Sequence, residues 1–136
     1  FIDVNRGSGI QHLALRSQNL IADVAQLQQK LKFLTVPQAY YDSLKPLLFL
    51  NVAERTAIIQ QQILVDSDRC TSPQSLLMQI FTQPIFEQPT FFLELIERRH
   101  SAQGFGQGNF QALFEAVERQ SKHLPPIHNH DQTTMQ

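Results

Sequence analysis

His12 and Glu94 are the two residues of this chain whose types and surroundings point to shared chemistry. His12 lies in an apolar, strand-like run, Ile10-Gln11-His12-Leu13-Ala14-Leu15, and Glu94 in another, Phe91-Phe92-Leu93-Glu94-Leu95-Ile96. A carboxylate taken out of water is costly unless something pairs with it. A histidine and a carboxylate facing one interior can share a metal ion. They make two-thirds of a 2-His-1-carboxylate triad, the ligand set of non-haem Fe(II) oxygenases. No third ligand stands out. Each residue also has a plainer reading. Alone, His12 reads as a core histidine hydrogen-bonded to backbone. Alone, Glu94 reads as an edge-strand glutamate facing water. Glu97 weakens that second reading, because it falls on the opposite face of the same strand and both cannot face solvent in a regular strand. Together the pair favours metal.

Other chemistry-bearing residues fall around these two. Strand alternation sets His12 on a face with Ile10 and Ala14, Glu94 with Phe92 and Ile96, and Gln79 with Leu77 and Phe81. An interior Gln79 must hydrogen-bond something. A substrate carboxylate or hydroxyl would serve, and so would a core group or water at a sheet edge. Gly104-Phe105-Gly106-Gln107-Gly108-Asn109-Phe110 is no dinucleotide fingerprint, since Gln111 stands where the third glycine belongs and no strand runs into it. It reads either as a mobile loop packing Phe105 and Phe110 over a pocket or as a helix start capped by Asn109. Cys70 sits in a polar loop without a base nearby and reads as a surface thiol. His123, His128 and His130 fall in a polar segment, 123–136, expected to be a disordered tail.

The elements that must position these groups follow from apolar periodicity. Residues 10–16 read as a first strand. Residues 18–32 read as a helix, with Leu20, Val24, Leu27 and Leu31 at helical spacing and Asn19 as cap. Residues 40–50 are broken by Pro46 into a turn and an irregular helix, and 51–62 read as a helix opened by Asn51. Strands are expected at 63–66, 76–82 and 91–98, with a loop over 67–75. A terminal helix over about 109–122 carries Phe110, Leu113, Phe114 and Val117 on one face. The order is βαβββ plus a helix, an α+β half-barrel. Four strands alone would leave one apolar face and two edges open, so a second such unit or a dimer is expected to close it.

Composition sets the frame. The 136 residues suit one domain, and the 42% apolar content suffices for a core. A net charge of −1 gives no electrostatic footprint for nucleic acid or an anionic membrane. No apolar run approaches the roughly 18 residues of a membrane span. A single cysteine cannot form an internal disulfide, which points to a reducing, cytoplasmic setting. The chain starts at Phe1, and its first residues read as the end of a connection, so a C-terminal fragment of a longer protein is expected.

The chain resembles the C-terminal portion of 4-hydroxyphenylpyruvate dioxygenases. The resemblance is carried by Ser8-Gly9-Ile10-Gln11-His12-Leu13-Ala14-Leu15, Val36-Pro37 with Tyr40-Tyr41, and Ile63-Leu64-Val65-Asp66. It continues through Gln79-Ile80-Phe81-Thr82, Pro89-Thr90-Phe91-Phe92-Leu93-Glu94 and Gly104 to Phe110, in order from residue 7 to about 120. It implies a vicinal-oxygen-chelate fold and an Fe(II) enzyme that converts 4-hydroxyphenylpyruvate and O₂ to homogentisate and CO₂. The substrate is its own 2-oxo acid. His12 then matches the second histidine ligand and Glu94 the carboxylate ligand, while the first histidine belongs to a preceding βαβββ module. By the same resemblance Gln79 matches a pocket glutamine. Phe81 and Phe110 match walls around the substrate ring, and Phe92, Phe105, Gly106, Asn109 and Leu113 match other pocket positions. The terminal helix becomes a lid, and the whole protein a homo-oligomer. The loop 67–75 is longer than the usual turn, and Glu97 stands where glutamine is common. A related family activity, 4-hydroxymandelate synthase, shares ligands and substrate but tends to carry a smaller aliphatic residue at the position of Phe110. A non-catalytic half-barrel binding module is the alternative from another class.

Overall fold

The structure, a computed structural model, describes residues 2–67, 72 and 74–122. The expectations for Cys70 and for the tail at 123–136 lie outside the described residues. A short helix α1 (Ile2–Asn5) precedes strand β1 (His12–Arg16). Then come α2 (Leu20–Leu27), α3 (Gln38–Asp42), a 3-10 turn at Lys45–Phe49 and α4 (Val52–Gln61). Strands β2 (Leu64–Ser67), β3 (Leu76–Phe81) and β4 (Phe92–Arg99) follow, and α5 (Phe110–Lys122) closes the described chain.

The predicted caps form. Asn19 accepts from the Ala22 amide at 3.2 Å and Asn51 from the Glu54 amide at 2.9 Å, each satisfying an orphan donor of its helix. The helix expected over 18–32 is shorter and stops at Leu27. Residues 28–30 are exposed, and without an apolar face to pack, further turns gain little. Pro46 opens the 3-10 turn and so divides 40–50 into two short pieces.

The four strands lie in the order β1-β4-β3-β2, with β1 parallel to β4 and the other pairs antiparallel. On one face, Val65, Leu76, Met78, Ile80 and Leu95 join Leu20 and Val24 of α2 and Ile58 of α4 in a single buried cluster. Met78 is completely buried there. Truncating such a side chain to alanine costs about 2–5 kcal/mol. By register, the opposite face carries His12, Ala14, Gln79, Phe81, Glu94 and Ile96.

Two features of the packing do not follow from the apolar pattern. The apolar stripe of α5 is not its buried side. Phe110 is 56% exposed and Phe114 63%, while Ala112 and Ala116 are buried. Alanines let a helix backbone approach the sheet more closely than phenylalanines do, and Leu113 fills in beside them as a partly buried neighbour of the core. The sheet also has one finished edge. Tyr41 donates to the Ile63 carbonyl at 2.9 Å, and the Tyr40 hydroxyl lies 2.8 Å from the Val65 amide and 2.9 Å from its carbonyl. Successive tyrosines of α3 thus cover alternate outward positions along β2.

Candidate metal centre

β1 and β4 are neighbours, and their register pairs His12 with Phe92 and Ala14 with Glu94. His12 therefore starts its strand two residues before the point opposite Glu94. Its imidazole lies stacked on the Phe92 ring, with centroids 5.0 Å apart and planes 10° from parallel. That places Nε2 at 3.4 Å from Glu94 Oε2. Two atoms that each sit about 2.1 Å from one ion lie about 3–3.5 Å from each other, so the pair has the separation a shared ion requires. The His12 side chain is 40% exposed and that of Glu94 8%. His12 is not a core histidine, and its open side leaves room for an ion with further ligands.

Glu94 is held from behind. Its Oε1 accepts from Gln79 Nε2 at 2.7 Å. The same Gln79 nitrogen faces the Phe105 carbonyl at 3.3 Å, and Gln79 Oε1 accepts from Asn109 Nδ2 at 2.9 Å. The Gln79 amide is thus engaged inside the protein, the second of its sequence readings. Asn109 is buried and its Oδ1 lies 2.7 Å from the Tyr40 hydroxyl. It does not cap α5, contrary to the plain helix-start reading. A 3-10 turn at Gln107–Asn109 leads into that helix instead.

The glycine-rich loop closes over these residues. Gly106 has φ 73°, and a Cβ there would overlap the Gln79 amide oxygen. A Cβ on Gly108 would overlap Asp66 Oδ1, and the Gly108 amide donates to Asp66 Oδ2 at 3.0 Å. The loop is pinned to β2 and β3 rather than left free.

A cavity of about 580 Å³ opens in front of the pair. It is lined by His12, Glu94, Gln79, Phe81, Phe105, Gly106, Asn109, Phe110 and Leu113, with Leu13, Ala14, Ile96 and Arg98. It gathers every candidate metal ligand and pocket residue named from the sequence except Phe92. Phe92 lines a second cavity of about 430 Å³ beside α5, which has no titratable group among the described residues of its walls. Phe110 and Leu113 border both. The chemistry therefore belongs to the first cavity. Phe105 is 74% exposed, so it stands at its rim rather than in its wall. Among the described residues no group of three or more histidine, cysteine or acidic side chains converges. Sequence reasoning missed Arg98, which lines the cavity while donating to the Ala102 carbonyl at 3.1 Å. Its signal was its parity with Glu94 along β4.

Electrostatics separate the two faces of β4. On the helix side, Glu97 Oε2 accepts from the Leu20 amide at the start of α2 at 2.7 Å, and Oε1 from Arg99 at 2.8 Å. Arg99 also reaches Glu54 at 2.6 Å. Burial works against the Arg99 charge, but the bonds to Glu97 and Glu54 outweigh it and raise the pKa. Burial likewise pushes the Tyr40 phenol well above its usual range, against the pull of the Val65 backbone hydrogen bond, and the Asp66 charge adds to the rise. Tyr40 is therefore a neutral O–H group.

The open mixed sheet with its flanking helices is the vicinal-oxygen-chelate fold, as the solved relatives show. The sequence similarity is to 4-hydroxyphenylpyruvate dioxygenases. That of Danio rerio is 43% identical over 124 residues, 88% of this chain and 30% of the relative. That of Dictyostelium discoideum is 39% identical over 127 residues, 90% of this chain and 33% of the relative. A mutant 4-hydroxymandelate synthase from Streptomyces coelicolor superposes with a TM-score of 0.74 at 34% identity, covering 88% of this chain and 33% of that one. The chain spans about a third of the length of the curated relatives it matches. No protein-family profile matches it. Among the described residues no helix is long and apolar enough to cross a membrane.

Proposed function

We propose that this chain is the C-terminal module of an Fe(II)-dependent dioxygenase that converts 4-hydroxyphenylpyruvate and O₂ to homogentisate and CO₂. The observation that supports this reading best is the His12–Glu94 pair at 3.4 Å, at the mouth of a cavity walled by Phe81, Phe110 and Leu113. The donor set fits iron: one imidazole nitrogen and one carboxylate oxygen, with His12 partly exposed and Glu94 buried. Glu94 offers Oε2, because Oε1 is taken by Gln79. When bound, iron supplies the activation of O₂ and accepts the 2-oxo acid. The chain's own residues do the rest. His12 and Glu94 hold the ion. Phe81, Phe110 and Leu113 enclose an aromatic ring and exclude water. The pinned loop with Gly106 and Asn109 forms the cavity's inner wall. The third ligand comes from outside this chain.

The experiment compares a protein of the relatives' full length with its His12→Ala and Glu94→Gln variants. Homogentisate should form from 4-hydroxyphenylpyruvate only in the parent protein loaded with Fe(II). The isolated 136-residue chain should form none. Homogentisate made by the isolated chain, or by Glu94→Gln at the parent rate, would remove the basis of this reading. The similarity to 4-hydroxymandelate synthase supports a second outcome, the same substrate oxidised at its benzylic carbon, and product identification separates the two.

A further inference from the structure

We propose that Tyr40 is a positioning residue for the metal-binding carboxylate, acting through Asn109 and Gln79. This rests on the reading of Glu94 as an iron ligand. Four side chains form one file: Tyr40 hydroxyl to Asn109 Oδ1 at 2.7 Å, Asn109 Nδ2 to Gln79 Oε1 at 2.9 Å, Gln79 Nε2 to Glu94 Oε1 at 2.7 Å. The two amides, Asn109 and Gln79, are the members that can be turned end for end. The file has one polarity, and its two ends fix it.

At the Glu94 end, Gln79 presents one terminal atom to both a carboxylate oxygen and the Phe105 carbonyl. A backbone carbonyl only accepts, so that atom must be the amide nitrogen. Gln79 then shows its oxygen to Asn109, which must answer with its own nitrogen and turn its oxygen toward Tyr40. At the other end, the Val65 amide donates into the Tyr40 hydroxyl at 2.8 Å, which occupies one of its acceptor positions. The single phenolic hydrogen faces two acceptors, Asn109 Oδ1 at 2.7 Å and the Val65 carbonyl at 2.9 Å, and the shorter contact is to Asn109. The chain of donors starts from the backbone of β2, and Tyr40 joins that backbone to the site. All four groups are partly or fully buried, so a reversed member would set like against like without water to relieve it.

The consequence at the metal is orientational. While Gln79 donates to Oε1, Glu94 keeps Oε2 turned toward His12. If Asn109 loses its donor at Tyr40, its Oδ1 is left buried and unsatisfied. The Asn109–Gln79 bond is then anchored from the Glu94 side alone, so both side-chain amides shift and the hold on Glu94 Oε1 loosens. Groups that orient a ligating carboxylate in this way typically matter about 10–100-fold in metal affinity.

Tyr41 provides the control. It is the adjacent residue, its hydroxyl is also spent on the β2 edge, and among the described residues its partner is the Ile63 carbonyl. The test titrates the chain with Co(II), whose paramagnetic shifts report weak as well as tight binding, and follows the Gln79 and Asn109 side-chain amide signals before metal is added. Tyr40→Phe should displace both amide signals in the metal-free protein and weaken Co(II) binding about tenfold or more. Tyr41→Phe should leave both readouts unchanged, whatever it costs in stability. Asn109→Asp, which sets a carboxylate against Gln79 Oε1, should reproduce the Tyr40→Phe effect if that variant folds poorly. Equal weakening in both tyrosine variants would mean general loosening and would overturn the proposal, as would unmoved amide signals in Tyr40→Phe. If His12→Ala also leaves Co(II) binding unaltered, the metal reading fails first and takes the role of Tyr40 with it. If His12→Ala abolishes binding while Tyr40→Phe does not weaken it, only the role of Tyr40 is lost.

Discussion

Glu94 and Glu97 are both buried in β4, three residues apart, and they answer burial in opposite ways. Glu97 is saturated: the first amide of α2 and the Arg99 guanidinium occupy both of its oxygens. Glu94 has one oxygen bonded to a neutral amide and the other facing His12. One carboxylate is spent on holding the sheet to its helices, and the other is left available.

Substitution at the two glutamates should therefore separate stability from metal binding. Glu97→Gln should cost about 2–3 kcal/mol, the scale of a hydrogen bond to a charged group together with a stranded buried partner. It should leave Co(II) binding intact. Glu94→Gln should cost under about 1 kcal/mol, since an amide can still accept from Gln79, and should abolish metal binding. Urea denaturation and Co(II) titration of the two variants check both halves.

Gly106→Ala should destabilise and distort the loop together. The position combines a left-handed φ of 73° with a Cβ that would overlap the Gln79 amide. The conformation alone costs about 1–3 kcal/mol for a non-glycine residue, and the overlap adds to it. The Gln79 side-chain amide signal should shift even in molecules that remain folded, and an unshifted signal would mean the loop yields without touching Gln79.

Phe110→Leu should change product identity more than stability. The ring borders the cavity yet is 56% exposed. The full 3–5 kcal/mol scale of truncating a buried phenylalanine to alanine does not apply, and about 1 kcal/mol or less is expected. In a protein of the relatives' length, a smaller side chain should let the aryl group turn, and chromatography should show benzylic product beside homogentisate. Homogentisate alone at the parent rate would reduce Phe110 to a surface residue of α5.

Alkaline pH should unfold the protein through its two tyrosines. Both phenols are pushed up from their usual 10.0, chiefly by burial, so the folded state holds their protons more tightly than the unfolded state. The stabilisation is whole below pH 10 and drains away as pH rises beyond it. Phenolate absorbance should thus appear late and in step with the loss of circular dichroism. Absorbance that rises near pH 10 while the protein is still folded would show that Tyr40 and Tyr41 are open to solvent.

The strands, the caps at Asn19 and Asn51, and the pairing of His12 with Glu94 were legible because each depends on local pattern or on a costly group in need of a partner. The buried side of α5 was not. The amplitude of its phenylalanines marks one face, but a sheet that admits the helix closely selects alanines, and that distance is a tertiary fact. Asn109 had the position of a helix cap and was taken by Gln79, thirty residues away in sequence. Tyr40 entered only as part of the resemblance, with no role, because its partners belong to β2 and to the loop before α5. Glu97 announced a conflict with Glu94 but not its resolution, which required a helix terminus on the far side of the sheet.

The uneven finish of the sheet limits how it can grow. Tyr40 and Tyr41 plug the outward groups of Ile63 and Val65 along β2, while β1 ends the sheet on the other side with Leu13 and Leu15 about half exposed. A sheet open at both margins can be extended indefinitely, one strand recruiting the next, and that is the geometry of a fibre. A sheet open at one margin has a valence of one. A strand docked on β1 would use up the capacity to join, so edge pairing of this module would end with a pair and not propagate.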